Sequence, residues 1–229
     1  MANFKNFFRK LVAAVLLVCH FVPTSAVILN PLIGMIAPIG VEWLLLSPWS
    51  PFYMLWETRW LVFMMVSIPN INGTNPNTLI GWTLSAIGLL LFLIAFIQFF
   101  AKRKEGFITT GLYSKVRHPQ YLGIITATLG FTITSERPIA WISWLTLTFL
   151  YLLLANTEEN NIHKKYGQQY ETYKQKTPFI VPYAPPNITE KLPTPKSRLK
   201  KYALLILIYI TMITITWIIL KEAAYKPEY

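Results

Sequence analysis

Two polar clusters in an otherwise apolar sequence contain the residue types that could do chemistry. The first is Arg117-His118-Pro119-Gln120-Tyr121, and the second is the carboxylate pair Glu158 and Glu159. Arginine and histidine N–H groups bind an anionic group, whereas carboxylates bind a cationic one. Together the two clusters therefore describe a site for a zwitterionic ligand such as an amino acid.

The helix ends predicted around the clusters support this interpretation. Pro119 suits the first turn of a helix, so a helix beginning near His118 would offer free backbone N–H groups to an anion. Glu158 and Glu159 follow the apolar run 138–156 and are expected at its C-terminal end, where the helix dipole disfavours carboxylates and a cationic partner is needed. The alternatives are a headgroup anchor at Arg117, a turn cap at His118, and a salt bridge from the carboxylates to Arg117 or a lysine.

Few other residues in the sequence are candidates for a polar site. Gln98 lies within an apolar run and either lines a site or makes an interhelical hydrogen bond. The remaining histidines, His20 and His163, do not complete a ligand triad, so no metal is expected. The single Cys19 excludes a disulfide framework. The sequence also contains no glycine-rich phosphate loop and no nucleophile elbow.

The elements that must position these clusters are membrane helices. The 229-residue chain is 54% hydrophobic and 14% charged. Four runs approach the roughly 20 apolar residues that span a bilayer core, and they lie at 11–29, 78–100, 138–156 and 202–220. Weaker runs lie at 32–46, 52–68 and 121–135. The sequence therefore predicts an all-α, polytopic membrane bundle of about seven spans, within a range of five to seven, although the first run also resembles a signal peptide.

The distribution of charge orients this bundle. Of the 21 Lys and Arg residues, 17 precede residue 11 or fall within 101–120 and 157–201. The positive-inside rule then places the N-terminus and both polar clusters in the cytoplasm. The net charge of +11 thus indicates membrane orientation and not a nucleic-acid partner. The membrane would be the plasma membrane in a prokaryote and the endoplasmic reticulum in a eukaryote.

The chain divides into four predicted regions. Residues 1–77 form N-terminal membrane helices, and 78–182 form a core with a helical hairpin at 121–156. A Pro-rich cytoplasmic linker at 183–201 precedes a last membrane helix and tail at 202–229. In the core, small residues at helical spacing favour close packing between two helices, and these residues are Gly81, Ser85, Gly88, Gly123, Ala127 and Gly130.

The polar clusters and their surroundings resemble a known family. The run from Gly111 to Gly123, GLYSKVRHPQYLG, is followed by Glu158-Glu159 and then by YGQQYETY at 166–173. In this order the motifs are similar to the isoprenylcysteine carboxyl methyltransferase and phospholipid methyltransferase superfamily. The resemblance covers about residues 78–182.

That resemblance implies an integral membrane methyltransferase that uses S-adenosylmethionine and releases S-adenosylhomocysteine. In the mechanism that we hypothesise from these residues, Arg117 and His118 orient the cofactor and Glu159 serves as a base for an amine or thiol acceptor. The implied cofactor contacts are Gln98, Glu105, Gly106, Phe107, Ile108, Tyr113, His118, Pro119, Gln120, Tyr121 and Glu158. The partners would be the bilayer and a lipid or prenylated substrate, with the oligomeric state open.

Two positions depart from the prenylcysteine enzymes. Leu154 stands where they have a substrate-binding arginine, and Glu105 stands where the vertebrate enzymes have histidine. The acceptor is therefore open between prenylcysteine, an ethanolamine phospholipid and another lipophilic thiol, amine or acid. A sterol-reductase-like enzyme using NADPH and a non-catalytic membrane scaffold are the alternatives to a methyltransferase.

Overall fold

The computed structural model describes residues 75–102, 106–186 and 198–224. These residues form helices and connecting turns, and no strand occurs among them, as the sequence predicts. The helices are α1 (Pro76–Lys102), α2 (Pro119–Ser135), α3 (Pro138–Tyr166), α4 (Gln168–Lys176) and α5 (Arg198–Ala224), with a 3-10 turn at Gly111–Ser114. The spans predicted before residue 75 lie outside the described residues.

Three of these helices are long and apolar enough to cross a membrane. They cover Pro76–Lys102, Pro138–Tyr166 and Ala203–Ala223, which agrees with the runs predicted at 78–100, 138–156 and 202–220. The outward faces of α1 and α5 are apolar, and Leu79 and Leu207 are each more than half exposed. Such faces suit contact with lipid. The total of about seven spans remains a prediction.

The helical hairpin turns at a single polar break. Glu136 ends α2 in the left-handed conformation, with φ 53°, and Asn75 at the start of α1 donates a 2.5 Å hydrogen bond to its carboxylate. Arg137 is extended and Pro138 begins α3. An extended residue before proline is the expected geometry, because proline disfavours helical backbone at the preceding position. This short turn brings the far ends of α2 and α3 back to one side.

Helix α3 is longer than its apolar run. The sequence predicts its end near residue 156, with Glu158 and Glu159 at the C-terminus, and this expectation is wrong. The helix continues to Tyr166, about two turns beyond the carboxylates. Backbone hydrogen bonding carries it through the polar residues, so the carboxylates lie within a regular helix and the dipole at its terminus does not act directly on them.

The small residues hold α1 and α2 in close contact, which confirms the predicted packing. A Cβ atom added to Gly123 would lie 2.6 Å from the backbone nitrogen of Phe92, and one added to Gly81 would lie 2.7 Å from the carbonyl oxygen of Gly130. Ser85 Oγ donates a 3.0 Å hydrogen bond to the carbonyl of Ala127. Only small residues allow two helix backbones to approach this closely.

The core lies between α2 and α3, beneath the polar clusters. Its fully buried side chains include Tyr121, Leu147, Tyr151 and Leu154, with aromatic rings of α1 packed against them. Helix α5 packs along the first half of α3, where Leu220 clusters with Ile139 and Ile142 and Tyr209 stacks on Phe149 at 4.7 Å between ring centroids. The core thus fixes α3, which carries the carboxylates, against α2, which begins at the basic cluster.

Candidate active site

The basic cluster is built at the N-terminus of α2. His118 is the N-cap residue and Pro119 occupies the first turn, which confirms the predicted helix start. The backbone N–H of Arg117 donates a 2.9 Å hydrogen bond to the carbonyl of Pro178, so the segment after α4 also holds this end. The side chains of Arg117 and His118 are buried. Charged groups removed from water in this way need partners.

The carboxylates of α3 supply those partners. Arg117 Nη1 lies 2.9 Å from Glu159 Oε1, and His118 Nε2 lies 3.2 Å from the same oxygen. His118 Nδ1 lies 3.6 Å from Glu158 Oε2, and the hydroxyl of Tyr121 donates a 2.6 Å hydrogen bond to Glu158 Oε1. The two clusters therefore form one ion-pair network, and the salt bridge to Arg117 that the sequence left open is confirmed.

This network leaves part of Arg117 unsatisfied. Its Nη1 atom contacts Glu159, whereas Nε and Nη2 are buried with no hydrogen-bond partner among the described residues. The guanidinium carbon lies 5.2 Å from the centre of the Phe179 ring, a cation–π contact that does not satisfy these N–H groups. Buried guanidinium donors without partners carry a desolvation penalty, which an anionic ligand would remove.

A cavity of about 350 Å³ lies beside this network. Its volume falls within the range of small-molecule and cofactor pockets. Its polar lining comprises Arg117, His118, Gln120, Glu158, Asn161 and Lys165. Its aromatic lining comprises Phe99, Phe107, Tyr113, Tyr166, Tyr170 and Tyr173, and the remaining residues are Gly106, Ile108 and Ile162. One cavity therefore offers cationic donors, a carboxylate and a ring-rich surface.

Four of these rings form what we term the aromatic wall, and they belong to Phe107, Tyr166, Tyr170 and Tyr173. The Phe107 ring centroid lies 4.9 Å from that of Tyr166, 5.6 Å from that of Tyr170 and 5.8 Å from that of Tyr173. Gly167, with φ 52°, separates α3 from α4, so the chain changes direction between Tyr166 and Tyr170. Edge and tilted contacts of this kind stabilise the rings against one another.

The tyrosines outside the membrane helices keep their protons. Burial, with smaller effects of nearby charges, raises the pKa of Tyr113, Tyr170 and Tyr173. Tyr113 donates a 2.5 Å hydrogen bond to Gln120 Oε1, and Tyr173 donates one of the same length to the backbone carbonyl of Tyr113. These neutral hydroxyls tie α4 and the 3-10 turn to the start of α2.

The structure brings most of the predicted site residues to the cavity. Its lining includes Gly106, Phe107, Ile108, Tyr113, Arg117, His118, Gln120 and Glu158. Pro119 and Tyr121 are instead buried and do not line it, and neither does Glu159, which contacts the lining residues Arg117 and His118. Gln98 accepts a 3.0 Å hydrogen bond from the backbone N–H of Leu112 and does not line the cavity. Glu105 lies outside the described residues.

The sequence did not identify the part of the site that lies beyond residue 159. Asn161, Ile162 and Lys165 line the cavity from α3, and they follow Glu158 at helical spacings of three, four and seven residues. Extending the helix past its apolar run would have placed them on one face. Among the residues that the structure describes, no group of three or more His, Cys, Asp or Glu could hold a metal ion.

Comparison with known proteins gives one family match. Residues 77–169 match the family model described as phospholipid methyltransferase. A methanethiol S-methyltransferase from Pseudomonas sp. (strain GM41(2012)) is 26% identical over 188 residues, which cover 79% of this chain and 65% of that protein. A methanethiol S-methyltransferase from Crocosphaera subtropica is 27% identical over 115 residues, 45% of this chain and 44% of that protein.

A plant protein matches a shorter segment. Protein-S-isoprenylcysteine O-methyltransferase B from Arabidopsis thaliana is 29% identical over 77 residues, which cover 33% of this chain and 39% of that protein. The chain thus spans less than two thirds of the length of these curated relatives. No solved structure matches the chain. All three relatives are methyltransferases by name, as the resemblance seen in the sequence implies.

Proposed function

We propose that the chain transfers a methyl group from S-adenosylmethionine to a lipophilic acceptor. The premise is that the chain belongs, through residues 77–169, to the membrane methyltransferase superfamily. The relatives support the methyltransferase class, and the three apolar helices support an integral membrane protein. The cofactor, the acceptor and the cytoplasmic position of the site are our own inference from the residues of the cavity and from the charge distribution.

The observation that carries this proposal is the unsatisfied face of Arg117. Its Nε and Nη2 groups are buried beside a cavity that also contains the carboxylate of Glu158. S-adenosylmethionine ends in an amino acid, so Arg117 would bind its carboxylate and Glu158 its ammonium group or ribose. The aromatic rings would pack around the rest of the ligand. The residues present therefore fit the cofactor in charge, polarity and available volume.

The chain's own part in the reaction is positioning and exclusion of water. Bound S-adenosylmethionine supplies an electrophilic methyl group, and no covalent enzyme intermediate is required. Arg117, held by Glu159, and His118 would fix the orientation of the ligand. The buried rings exclude water that would otherwise compete with the acceptor. Holding both partners in line is enough to supply much of the rate enhancement of such a transfer.

The acid–base role depends on the acceptor. A thiol or amine releases a proton during methylation, whereas a carboxylate acceptor releases none. The sequence suggests Glu159 as the base, but Glu159 pairs with Arg117 and His118 and does not line the cavity. Glu158 lines the cavity, and its Oε2 atom lies 3.6 Å from His118. We therefore assign proton acceptance to Glu158, with His118 next to it.

A neutral thiol is the acceptor that the structure favours over a prenylcysteine carboxylate. Leu154 stands where the prenylcysteine enzymes have an arginine, and its side chain is fully buried among Tyr121, Tyr151 and other core residues. A carboxylate at this place would meet apolar atoms without a cationic partner, which is unfavourable. Two relatives are named as methanethiol S-methyltransferases. Thiol S-methylation is therefore the leading acceptor chemistry, with prenylcysteine and phospholipid methylation as its rivals.

Two measurements test the function. Calorimetric titration of the purified full chain with S-adenosylhomocysteine and with NADPH should give binding of the first only. Binding of NADPH alone would favour the reductase alternative, and binding of neither would favour a scaffold. Transfer of labelled methyl groups to an alkanethiol, a prenylcysteine analogue and an ethanolamine phospholipid then ranks the acceptors. Labelling of prenylcysteine alone would contradict the thiol assignment.

A further inference from the structure

The aromatic wall and Glu158 occupy one cavity with an uneven set of charges. Glu159 is paired with Arg117 at 2.9 Å. Glu158 contacts the Tyr121 hydroxyl and His118, and no lysine or arginine pairs with it among the described residues. Its side chain is 20% exposed, so the carboxylate is only partly solvated. The cavity therefore combines a carboxylate that has no lysine or arginine partner with several electron-rich rings.

Rings and carboxylates attract cations by the same electrostatic rule. The face of an aromatic ring carries partial negative charge, and cages of such rings bind ligands that carry a positive charge but no N–H donors. In a partly desolvated cavity this attraction is stronger than in water. Two lining cations compete for this attraction: Arg117, which pairs with Glu159, and Lys165, whose Nζ lies 5.2 Å from the centre of the Tyr166 ring. Lys165 is exposed, so water screens its charge.

We propose that the aromatic wall and Glu158 make the cavity selective for the sulfonium cofactor over its neutral-sulfur product. This inference rests on the proposed function and concerns the same site. In methyl transfer the acceptor forms a bond to the methyl carbon while the carbon–sulfur bond breaks and its electron pair stays on sulfur. The cofactor thereby loses one methyl group and one positive charge. The cavity would then hold the product less tightly and release it.

The expected size of the preference follows from cation–π energies. A desolvated cation–π contact of about 0.5–2 kcal/mol corresponds to a change in Kd of roughly twofold to thirtyfold. Glu158 acts in the same direction, so we expect S-adenosylmethionine to bind at least about threefold more tightly than S-adenosylhomocysteine. A pocket that recognised only the adenosine and amino-acid parts would bind the two ligands equally.

Calorimetry on the full chain in lipid nanodiscs tests the preference without any turnover. The probes are S-adenosylmethionine, S-adenosylhomocysteine and sinefungin, a non-reactive analogue with an ammonium group in place of the methylsulfonium. We expect both cationic ligands to bind about threefold to thirtyfold more tightly than S-adenosylhomocysteine. Equal binding, or tighter binding of S-adenosylhomocysteine, would overturn the inference and leave the proposed function intact. Binding of none of the three would contradict the proposed function itself.

Matched variants show whether the named residues cause the preference. Tyr166→Phe keeps the ring, whereas Tyr166→Leu keeps an apolar side chain without it. Tyr166 is only partly buried, so both variants are expected to fold, which thermal melting curves verify. The preference should persist in Tyr166→Phe and decrease in Tyr166→Leu and in Glu158→Gln. A folded Tyr166→Leu protein and a folded Glu158→Gln protein that both keep the full ratio would refute the proposal.

Discussion

Arg117 shows how one side chain can serve the fold and the site together. One edge of its guanidinium pairs with Glu159 and so fixes α2 against α3. Its other N–H groups remain buried without partners beside the cavity. Only a side chain with five donors in a rigid plane can divide its hydrogen bonds in this way. A lysine, with one compact ammonium group, could not occupy both positions.

Replacing Arg117 by lysine should therefore weaken ligand binding more than it weakens the fold. Charge-assisted hydrogen bonds contribute about 1.5–3 kcal/mol each, so we expect a loss of roughly tenfold or more in affinity for S-adenosylhomocysteine, measured by calorimetry. Arg137→Lys, at the opposite end of the hairpin, is the matched control and should bind normally. Wild-type affinity in a folded Arg117→Lys protein would remove Arg117 from the ligand site.

The buried tyrosines at this site predict alkaline instability. Their pKa values are raised in the folded protein, so the folded state holds these protons more tightly than the unfolded chain. The stability they contribute is complete below about pH 10 and is lost as the pH rises further. Each group contributes a slope of up to about 1.4 kcal/mol per pH unit.

Unfolding experiments between about pH 9 and pH 12 measure this slope. Tyr170→Phe removes one titrating group and should make the dependence of stability on pH shallower. An identical slope in that variant would show that Tyr170 has the same pKa in the folded protein and in the unfolded chain.

At the residue scale the sequence predicted much of the site and missed a defined part of it. Arg117, His118 and Glu158 could be identified because charged side chains are rare in apolar surroundings. Lys165 could not, since a lysine in a polar stretch resembles any exposed lysine. Gln98 was ambiguous between two roles, and only its contact with the Leu112 N–H shows where its side chain points.

Among the elements, the α1–α2 pair positions the start of the basic cluster. Gly81, Gly88, Gly123 and Gly130 remove side-chain atoms from the crossing, so each backbone packs directly against the other. The small-residue spacing was sufficient to predict this packing. The extent of α3 was not predictable from hydropathy, because hydropathy reports where lipid ends and not where backbone hydrogen bonding ends.

Filling this crossing should destabilise the protein. Gly123→Ala would place a methyl group 2.6 Å from the backbone nitrogen of Phe92, which cannot move without moving α1. We expect a loss of about 1–3 kcal/mol in the free energy of unfolding, measured by denaturant titration in detergent micelles. Ala86→Val, on the exposed face of α1, should change the stability by less than about 0.5 kcal/mol. Equal effects of the two variants would contradict the close packing.

In the part of the chain that the structure describes, the cavity lies where α1 ends, α2 begins and α3 ends. A 27-residue helix such as α1 is about 40 Å long, which is enough for its two ends to lie on opposite sides of a bilayer core of about 30 Å. The side on which the cavity opens is predicted by the basic residues of 101–120 and 157–201. The number of spans before residue 75 and the division of the chain into regions also remain predictions from the sequence.

Cysteine labelling in intact cells tests the predicted orientation. In a background with Cys19→Ala, Ser114→Cys lies on the exposed 3-10 turn beside the cavity, and Asn77→Cys lies at the other end of α1. A membrane-impermeant maleimide should label Asn77→Cys directly and Ser114→Cys only after permeabilisation. The reverse pattern would place the cavity on the outside of the cell.

The unbroken length of α3 has a mechanical consequence. Its first half is apolar and suited to acyl chains, and its last turns form one wall of the cavity, with no kink or cap between them. A continuous hydrogen-bonded helix transmits tilt and vertical displacement along its length. A change in bilayer thickness that tilted this helix would therefore also move Glu158 and Lys165, which line the cavity. The lipid composition of the host membrane would thereby influence the shape of the cavity.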